Sequence, residues 1–369
     1  MKDPRVQKLA EVLVHYSTAV QPGDKVVIQG EALAAPLIRE VYAQVLQAGG
    51  HPLTHIALPG LQELFYQYAS DEQLQFIQPP LKVIAETFDV SISIRGTSNT
   101  KALTNVDPSR IVLEQQAHRE LMETFLRRAA SGELRWTLTL FPTDAHAQDA
   151  EMSLSEYEDF VFGACLPDPT DPVGWWQRLS AYQAKVIDYL QGKERVHIIG
   201  PDTDLTLSIA GRTFINSDGR HNMPSGEIFT GPVEDSAEGY VHFSFPAVIR
   251  GREVEDVRLW FEKGKVVRAT AGKGEAFLLQ MLDTDEGSRY LGEFAIGTNT
   301  GITRFTRNIL FDEKIGGTFH LAVGAGYPET GSRNQSSIHW DMICDLRQGG
   351  EIYVDDVLIY KDGQFVLEF

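Results

Sequence analysis

The regular alternation of strand-like and helix-like segments in the first half of the chain constrains the fold more than any other feature. Val6, Leu9, Ala10 and Leu13 follow the spacing i, i+3, i+4, i+7, which marks one face of a helix. Further predicted helices cover residues 34–48 and 110–130, and predicted strands cover residues 25–29, 53–58, 90–94 and 136–141. Strands separated by helices of this length indicate parallel βαβ units. We therefore predict an open α/β sheet with helices on both faces.

The second half of the chain has a different pattern, with short strand-like segments and tight turns. Predicted strands cover residues 196–199, 205–209, 240–245, 254–261 and 266–270, the alternating segment 351–360 adds another, and residues 275–282 form a predicted helix. Lys263-Gly264 and Asp362-Gly363 have the composition of hairpin turns. This pattern is typical of a mixed α+β domain whose strands are largely antiparallel.

A proline-rich segment, residues 167–172, lies between these two patterns. It is either the junction between two domains or a rigid loop within one domain. Domains usually contain about 100–200 residues, so a chain of 369 residues favours two. We place an open α/β domain at residues 1–180 and a mixed α+β domain at residues 181–369.

Composition and charge exclude several classes of protein. The 51 acidic and 33 basic residues give a formal charge of −18, which argues against nucleic acid as a partner. No segment approaches the roughly 18 apolar residues of a membrane span, and the N-terminus lacks the apolar region of a secretory signal. Cys165 and Cys344 are too few for a disulfide scaffold, and we expect both to be buried thiols. We expect a soluble cytoplasmic protein without a membrane partner.

Several residues in the second half are of the types that bind metal ions. His339 and Asp341 are two positions apart, so on a strand they share one face. His320, Glu293 and Glu227 each lie in a largely apolar segment with glycines nearby. A buried carboxylate must be paired, protonated or metal-bound, because burying it alone is costly. Metal ligation and structural ion pairs both remain open at this point.

The residue types limit which metals are suitable. Two histidines and three carboxylates suit Zn²⁺, Mn²⁺ or Co²⁺. A single catalytic zinc usually binds fewer than five protein ligands. Five is about the number that two ions with a shared ligand require. No glycine-rich phosphate-binding fingerprint follows a predicted strand, so a nucleotide site is not indicated.

The order of four segments in the second half carries a more specific signal. These segments are MPSGEIFTGPVEDS (residues 223–236), LGEFAIGTN (291–299), GTFHLAVG (317–324) and IHWD (338–341). WTLTLFPT (136–143) and MSLSEYEDF (152–160) extend the similarity into the first half. Together they resemble the aminopeptidase T family, metal-dependent, thermophilic-type aminopeptidases of the leucyl class. The resemblance covers essentially the whole chain.

The resemblance implies a role for each of six residues and a homodimeric assembly. The implied metal ligands are Glu227, Glu293, His320, His339 and Asp341. Tyr327, seven residues after His320, is the implied active-site tyrosine, and Glu293 is also implied in catalysis. The loop between Tyr327 and His339 is shorter than in other family members, which bears on substrate preference more than on chemistry.

We therefore predict a metal-dependent aminopeptidase that removes N-terminal amino acids, leucine-like and others, from peptides with a free N-terminus. Two divalent ions, Zn²⁺, Co²⁺, Mn²⁺ or Mg²⁺, would activate the attacking water. One alternative is a binuclear amidase or deacylase that uses the same site. Another is a non-enzymatic binding protein whose acids form structural ion pairs. A glycosidase using Glu227 and Glu293 leaves both histidines unexplained.

Overall fold

The computed structural model describes residues 3–249 and 251–368, which form two compact units. The N-terminal unit contains residues 3–173 and 219–224, and the C-terminal unit contains residues 174–218 and 225–368.

The first 190 residues contain most of the helices. In chain order the elements are α1 (Pro4–Glu11) with a π-helical continuation (Val12–Ser17), β1 (Lys25–Glu31), a 3-10 turn (Ala32–Ala34), α2 (Ala35–Gln47), β2 (His51–Ala57), α3 (Leu61–Tyr68), α4 (Asp71–Leu74), α5 (Pro79–Thr87), β3 (Val90–Arg95), α6 (Pro108–Ala117), α7 (Arg119–Ala130), β4 (Arg135–Leu140), α8 (Asp144–Asp149), α9 (Leu154–Cys165) and α10 (Pro172–Leu190).

The remaining residues form mainly strands. In chain order these elements are β5 (Arg195–Gly200), β6 (Thr203–Ser208), β7 (Ile215–Ser217), β8 (Asn222–Met223), β9 (Glu227–Thr230), β10 (Glu238–Phe243), β11 (Ala247–Ile249), β12 (Arg252–Val254), β13 (Val257–Glu262), β14 (Lys265–Thr270), α11 (Glu275–Leu282), a 3-10 turn (Glu286–Arg289), β15 (Leu291–Gly297), α12 (Ile309–Asp312), β16 (Thr318–Gly324), a 3-10 turn (Pro328–Thr330), β17 (His339–Asp345), β18 (Glu351–Val354), β19 (Val357–Lys361) and β20 (Gln364–Phe365).

A five-stranded parallel sheet with the order β2-β1-β3-β4-β8 forms the centre of the N-terminal unit. Helix α2 packs closely on one face, where a Cβ added to Gly30 would lie 2.9 Å from Ile38 Cδ1. Helix α7 lies on the other face, where Phe125 contacts Trp136 with 6.1 Å between ring centroids. The predicted open α/β sheet with helices on both faces is confirmed.

Antiparallel strands dominate the C-terminal unit. One sheet has the order β17-β16-β15-β9-β7, and a larger sheet has the order β14-β13-β10-β6-β5-β18-β19-β20. All seven residues of β15 and all seven of β16 are buried. A charged side chain on either strand is therefore removed from water. The predicted mixed α+β fold of the second half is confirmed.

Two predicted strands are interrupted by aspartates with positive φ. Asp256, at φ +57°, separates β12 from β13 within the predicted strand 254–261. Segment 351–360 is a hairpin of β18 and β19 around Asp355 and Asp356, at φ +48° and +64°. Aspartate tolerates this conformation better than most residues. A two-residue turn leaves the alternation of apolar positions unchanged. The alternation therefore predicted one continuous strand in each segment, and this prediction was wrong.

Cys165 and Cys344 are buried free thiols, as predicted. Burial raises the pKa of both, so they stay protonated and poorly nucleophilic at neutral pH. Among the described residues, no helix combines the length and the apolar character needed to cross a membrane.

Candidate metal centre

Strand register in the five-stranded sheet brings the candidate ligands to one place. Glu293 on β15 and Asp341 on β17 are each paired with Ala322 on the strand between them. His320 lies two residues before Ala322 and therefore shares its face. Because Ala322 carries only a methyl group, the space above it is left to the longer side chains on either side. Glu227, the first residue of β9, joins from beyond β15.

Glu293 lies between the two histidines and presents one carboxylate oxygen to each. Its Oε1 is 3.1 Å from His320 Nε2, and its Oε2 is 3.4 Å from His339 Nε2. Asp341 Oδ1 lies 3.2 Å from His339 Nε2 and 3.9 Å from His320 Nε2. Glu227 Oε2 lies 3.8 Å from His320 Nε2. All five predicted ligands therefore meet in one cluster.

Each histidine uses its second ring nitrogen to contact a backbone carbonyl. His320 Nδ1 is 3.0 Å from the Glu313 oxygen, and His339 Nδ1 is 2.7 Å from the Ala325 oxygen. A carbonyl can only accept, so both Nδ1 atoms donate. In the neutral imidazole this leaves the Nε2 lone pair directed at the cluster. Metal-binding histidines in proteins are commonly oriented in this way.

Two carboxylate oxygens in the cluster are buried and accept no hydrogen bond from any described residue. They are Glu227 Oε2 and Asp341 Oδ1, whose contact with His339 lacks hydrogen-bond geometry. An unsatisfied buried carboxylate oxygen is costly. Two groups, Glu227–Glu293–His320 and Glu293–His339–Asp341, each place their ligand atoms within 4.8 Å of one another. Ligands at about 2.1 Å from an ion are separated by such distances. The residues therefore fit bound divalent cations.

The electrostatics of the cluster agree with a bound cation. Burial alone would lower the pKa of both histidines, but the surrounding carboxylates raise it to about 9 in His320 and about 12 in His339. Burial raises the pKa of Glu227. Against the effect of burial, His339 lowers the pKa of Asp341 to about 2. In a protein without metal the imidazoles carry protons, and metal binding must displace them.

The structure adds two charged residues that sequence reasoning did not single out. Lys314 is fully buried, with its Nζ 3.6 Å from Glu227 Oε1 and in contact with the Glu313 carboxylate. Glu313 also forms a third ligand group with His320 and Asp341, and burial raises its pKa to about 8. In the sequence, residues 312–314 (Asp-Glu-Lys) have the composition of a solvent-exposed turn. Nothing in the neighbouring sequence therefore indicated that Lys314 is buried.

Tyr327 lies beside the cluster. Its ring is 5.2 Å from the His339 ring and 5.5 Å from the Phe229 ring, measured between centroids, and 41% of the residue is exposed. Partial burial and the negative charges of Glu293 and Asp341 raise the pKa of its phenol. The phenol therefore keeps its proton at neutral pH and is available as a hydrogen-bond donor.

Two histidines and several buried carboxylates around unsatisfied oxygens are typical of metallohydrolases. The model of the thermophilic metalloprotease (M29) family matches residues 2–365. This chain belongs to that family.

Relatives and a solved structure agree with this assignment. Aminopeptidase T of Thermus thermophilus is 28% identical, with 97% of this chain and 95% of the relative covered. Aminopeptidase 2 of Geobacillus stearothermophilus is 26% identical, with 98% and 91% covered. The structure of wild-type AmpT from Thermus thermophilus has a TM-score of 0.84 at 23% identity, covering 98% of this chain and 99% of that one. The predicted family, the fold and the enzyme class, a metallo-aminopeptidase, are confirmed.

Proposed function

We propose that this protein removes N-terminal amino acids, leucine-like residues among them, using two divalent ions held by Glu227, Glu293, His320, His339 and Asp341. One observation carries the proposal: two buried carboxylate oxygens face two histidine Nε2 atoms and accept no hydrogen bond within residues 3–249 and 251–368. A structural ion-pair network would satisfy those oxygens with donors. The binding-protein alternative therefore accounts poorly for the cluster.

The overlap of two ligand groups supports two ions rather than one. Glu293 belongs to both groups, and its two oxygens face different histidines. Glu293 would therefore help to hold both ions. Imidazole ligands favour Zn²⁺, Co²⁺ or Mn²⁺ over Mg²⁺.

The residues of the chain supply the remaining parts of the proposed chemistry. When bound, divalent ions polarise a carbonyl group and lower the pKa of water. Tyr327, protonated and partly exposed, donates a hydrogen bond to the oxyanion that develops on the scissile carbonyl. One such donor is worth roughly 3 kcal/mol in comparable sites. Glu293 fixes the spacing between the two halves of the cluster.

A metal centre also supports recognition of a free N-terminus. An unprotonated α-amine has a lone pair that could occupy an open coordination position of an ion held by Glu227, Glu293, His320, His339 and Asp341. An acylated amine, the substrate of an amidase or deacylase, has lost that lone pair to the amide bond. The cytoplasmic location and the homodimer stay predictions.

Elemental analysis combined with an activity assay tests the proposal. We expect two divalent ions per chain at saturation and hydrolysis of leucine p-nitroanilide. Exhaustive chelation should abolish the activity, and added Co²⁺ or Zn²⁺ should restore it. Full activity in protein shown to be free of metal would refute the proposal.

A further inference from the structure

A small polar pocket lies at the carboxyl edge of the parallel sheet, wholly within the N-terminal unit. It has a volume of about 300 Å³ and is formed by the last residues of β1, β2 and β3 together with Leu138 of β4. Its polar lining residues are Gln29, Glu31, His55, Ser93 and Arg95. This volume is at the lower end of the range for small-molecule sites.

Strand register places these polar side chains on a single face of the sheet. Gln29 is paired with His55 on β2 and with Ser93 on β3, and Ser93 is paired with Leu138 on β4. Glu31 and Arg95 lie two residues further along β1 and β3, so they project from the same face. The intervening positions, such as Ile92 and Ile94, are buried on the opposite face. The alternation is therefore built into both strands.

The pocket also lies at the point where the strand order reverses. From β1 the chain crosses through α2 to β2 on one side, and from β3 it crosses through α6 and α7 to β4 on the other side. Parallel α/β sheets bind ligands outside the carboxyl ends of the strands at such a point, because diverging connections leave a crevice there. The topology and the polar lining therefore indicate the same place by independent routes.

Within the part of the chain that the structure describes, the ionisable side chains of this pocket have no side-chain partner. Glu31, His55 and Arg95 form no side-chain ion pair or hydrogen bond with any of residues 3–249 and 251–368. Glu31 and Arg95 directly follow Gly30 and Ile94, the last paired residues of β1 and β3, and neighbouring strands lie about 4.8 Å apart. The carboxylate of Glu31 and the guanidinium of Arg95 lie near each other without forming an ion pair. A ligand that carries both a positive and a negative charge could therefore pair with both side chains.

We propose that this pocket binds a free α-amino acid, with the carboxylate on Arg95 and the ammonium group on Glu31. Guanidinium binds carboxylate through two parallel hydrogen bonds, and carboxylate pairs well with ammonium. Ala57 and Leu138 provide an apolar wall for a side chain. The choice of a free amino acid as the ligand rests on the proposed function, since an aminopeptidase releases that product.

Equilibrium dialysis of labelled leucine against the full-length protein tests this site. The Glu293→Gln variant serves as the parent, because it weakens any leucine binding at the metal centre. We expect the parent to bind one leucine per chain. Arg95→Gln and Glu31→Gln, each added to the parent, should raise the Kd at least about tenfold, the usual result of losing one charged hydrogen-bonding partner.

Matched controls separate charge recognition from general disruption of the fold. Arg119→Gln removes an exposed arginine from α7, outside the pocket, and should leave the Kd unchanged. Arg95→Lys keeps the positive charge and should retain part of the affinity. N-acetyl-leucine and leucinamide each lack one charge of the zwitterion and should bind at least about tenfold more weakly than leucine.

Three outcomes would overturn the proposal. They are no saturable leucine binding by the parent, an unchanged Kd in Arg95→Gln, and equal affinity for leucine and N-acetyl-leucine. Dialysis measures leucine binding and does not depend on hydrolysis. A protein without peptidase activity would contradict the proposed function, and the dialysis result would still support or contradict this binding site.

Discussion

Charged side chains lie on both the antiparallel sheet of the C-terminal unit and the parallel sheet of the N-terminal unit, but in opposite environments. Glu293 and His320 are 5% and 0% exposed and lie within hydrogen-bonding reach of each other. Glu31 and Arg95 lie at an open strand edge. An uncompensated charge costs little in water and several kcal/mol in the interior. We therefore expect the buried cluster to depend on a cation and the open pocket to be stable with or without a ligand.

The largest effect should come from blocking the substrate amine that the proposed metal centre recognises. Acetylation removes the charge of the amine and adds bulk where the peptide should end. A site that pairs this amine should discriminate by about 10⁴-fold. We expect leucyl peptides to be cleaved one residue at a time and N-acetyl-leucyl peptides of the same length to be inert. Equal kcat/KM values would favour the amidase alternative.

Glu293→Gln tests whether the buried cluster depends on a cation. Removing the carboxylate shared by both ligand groups should lower kcat by at least about 10³-fold and reduce the bound metal. Glu351→Gln is the matched control, because Glu351 forms a surface pair with Lys361 in the same unit. It should keep its activity and metal content. Wild-type kcat and metal content in Glu293→Gln would return Glu293 to a structural role.

Tyr327→Phe separates catalysis from metal binding at the edge of the cluster. It removes one hydroxyl and keeps the ring contacts with His339 and Phe229. We expect kcat to fall by about two orders of magnitude, as for one oxyanion donor. Metal content measured by elemental analysis should not change. An unaltered kcat would leave Tyr327 as a packing residue.

Asp285 provides a smaller comparison, since this carboxylate is satisfied by hydrogen bonds rather than by a cation. It accepts hydrogen bonds from Ser288, Ser336 and Ser337. Although burial acts to raise it, these bonds hold the pKa of Asp285 well below its usual value. Asp285→Asn should lower the free energy of unfolding by about 1–2 kcal/mol at pH 7, a figure reduced for partial exposure.

The pH dependence checks this account of Asp285. The pKa of the Asp285 carboxyl is lower in the folded protein than in the unfolded protein, where it is about 3.9. This difference stabilises the folded protein at pH values above about 3.9, and the stabilisation is lost as the pH falls towards the pKa of the folded state. Urea unfolding should therefore show the difference between wild type and Asp285→Asn at pH 7 and a shrinking difference below about pH 4. Asp283→Asn, which removes a surface pair with Arg289, is the control and should cost less than about 1 kcal/mol. A constant difference at every pH would contradict the assignment.

The sequence predicted the elements well where pattern and environment agree. The helix at residues 275–282 has the predicted bounds, and the strands around Glu293 and His320 lie where their apolar segments indicated. Prediction was wrong where a turn left the alternation unchanged, at Asp355 and Asp356. It also missed Lys314, because its burial results from packing between segments distant in sequence.

What the sequence alone determined was a two-part α/β chain with a family's ordered motifs and a small set of candidate ligands. Local periodicity and residue chemistry are properties of short segments, so they can be recognised without coordinates. Only the tertiary structure decided that Glu293 faces two histidines and that Lys314 lies beside Glu227. The same holds for the alignment of Glu31 and Arg95 on one face. Strand register determines these placements, and register depends on the packing of the whole sheet.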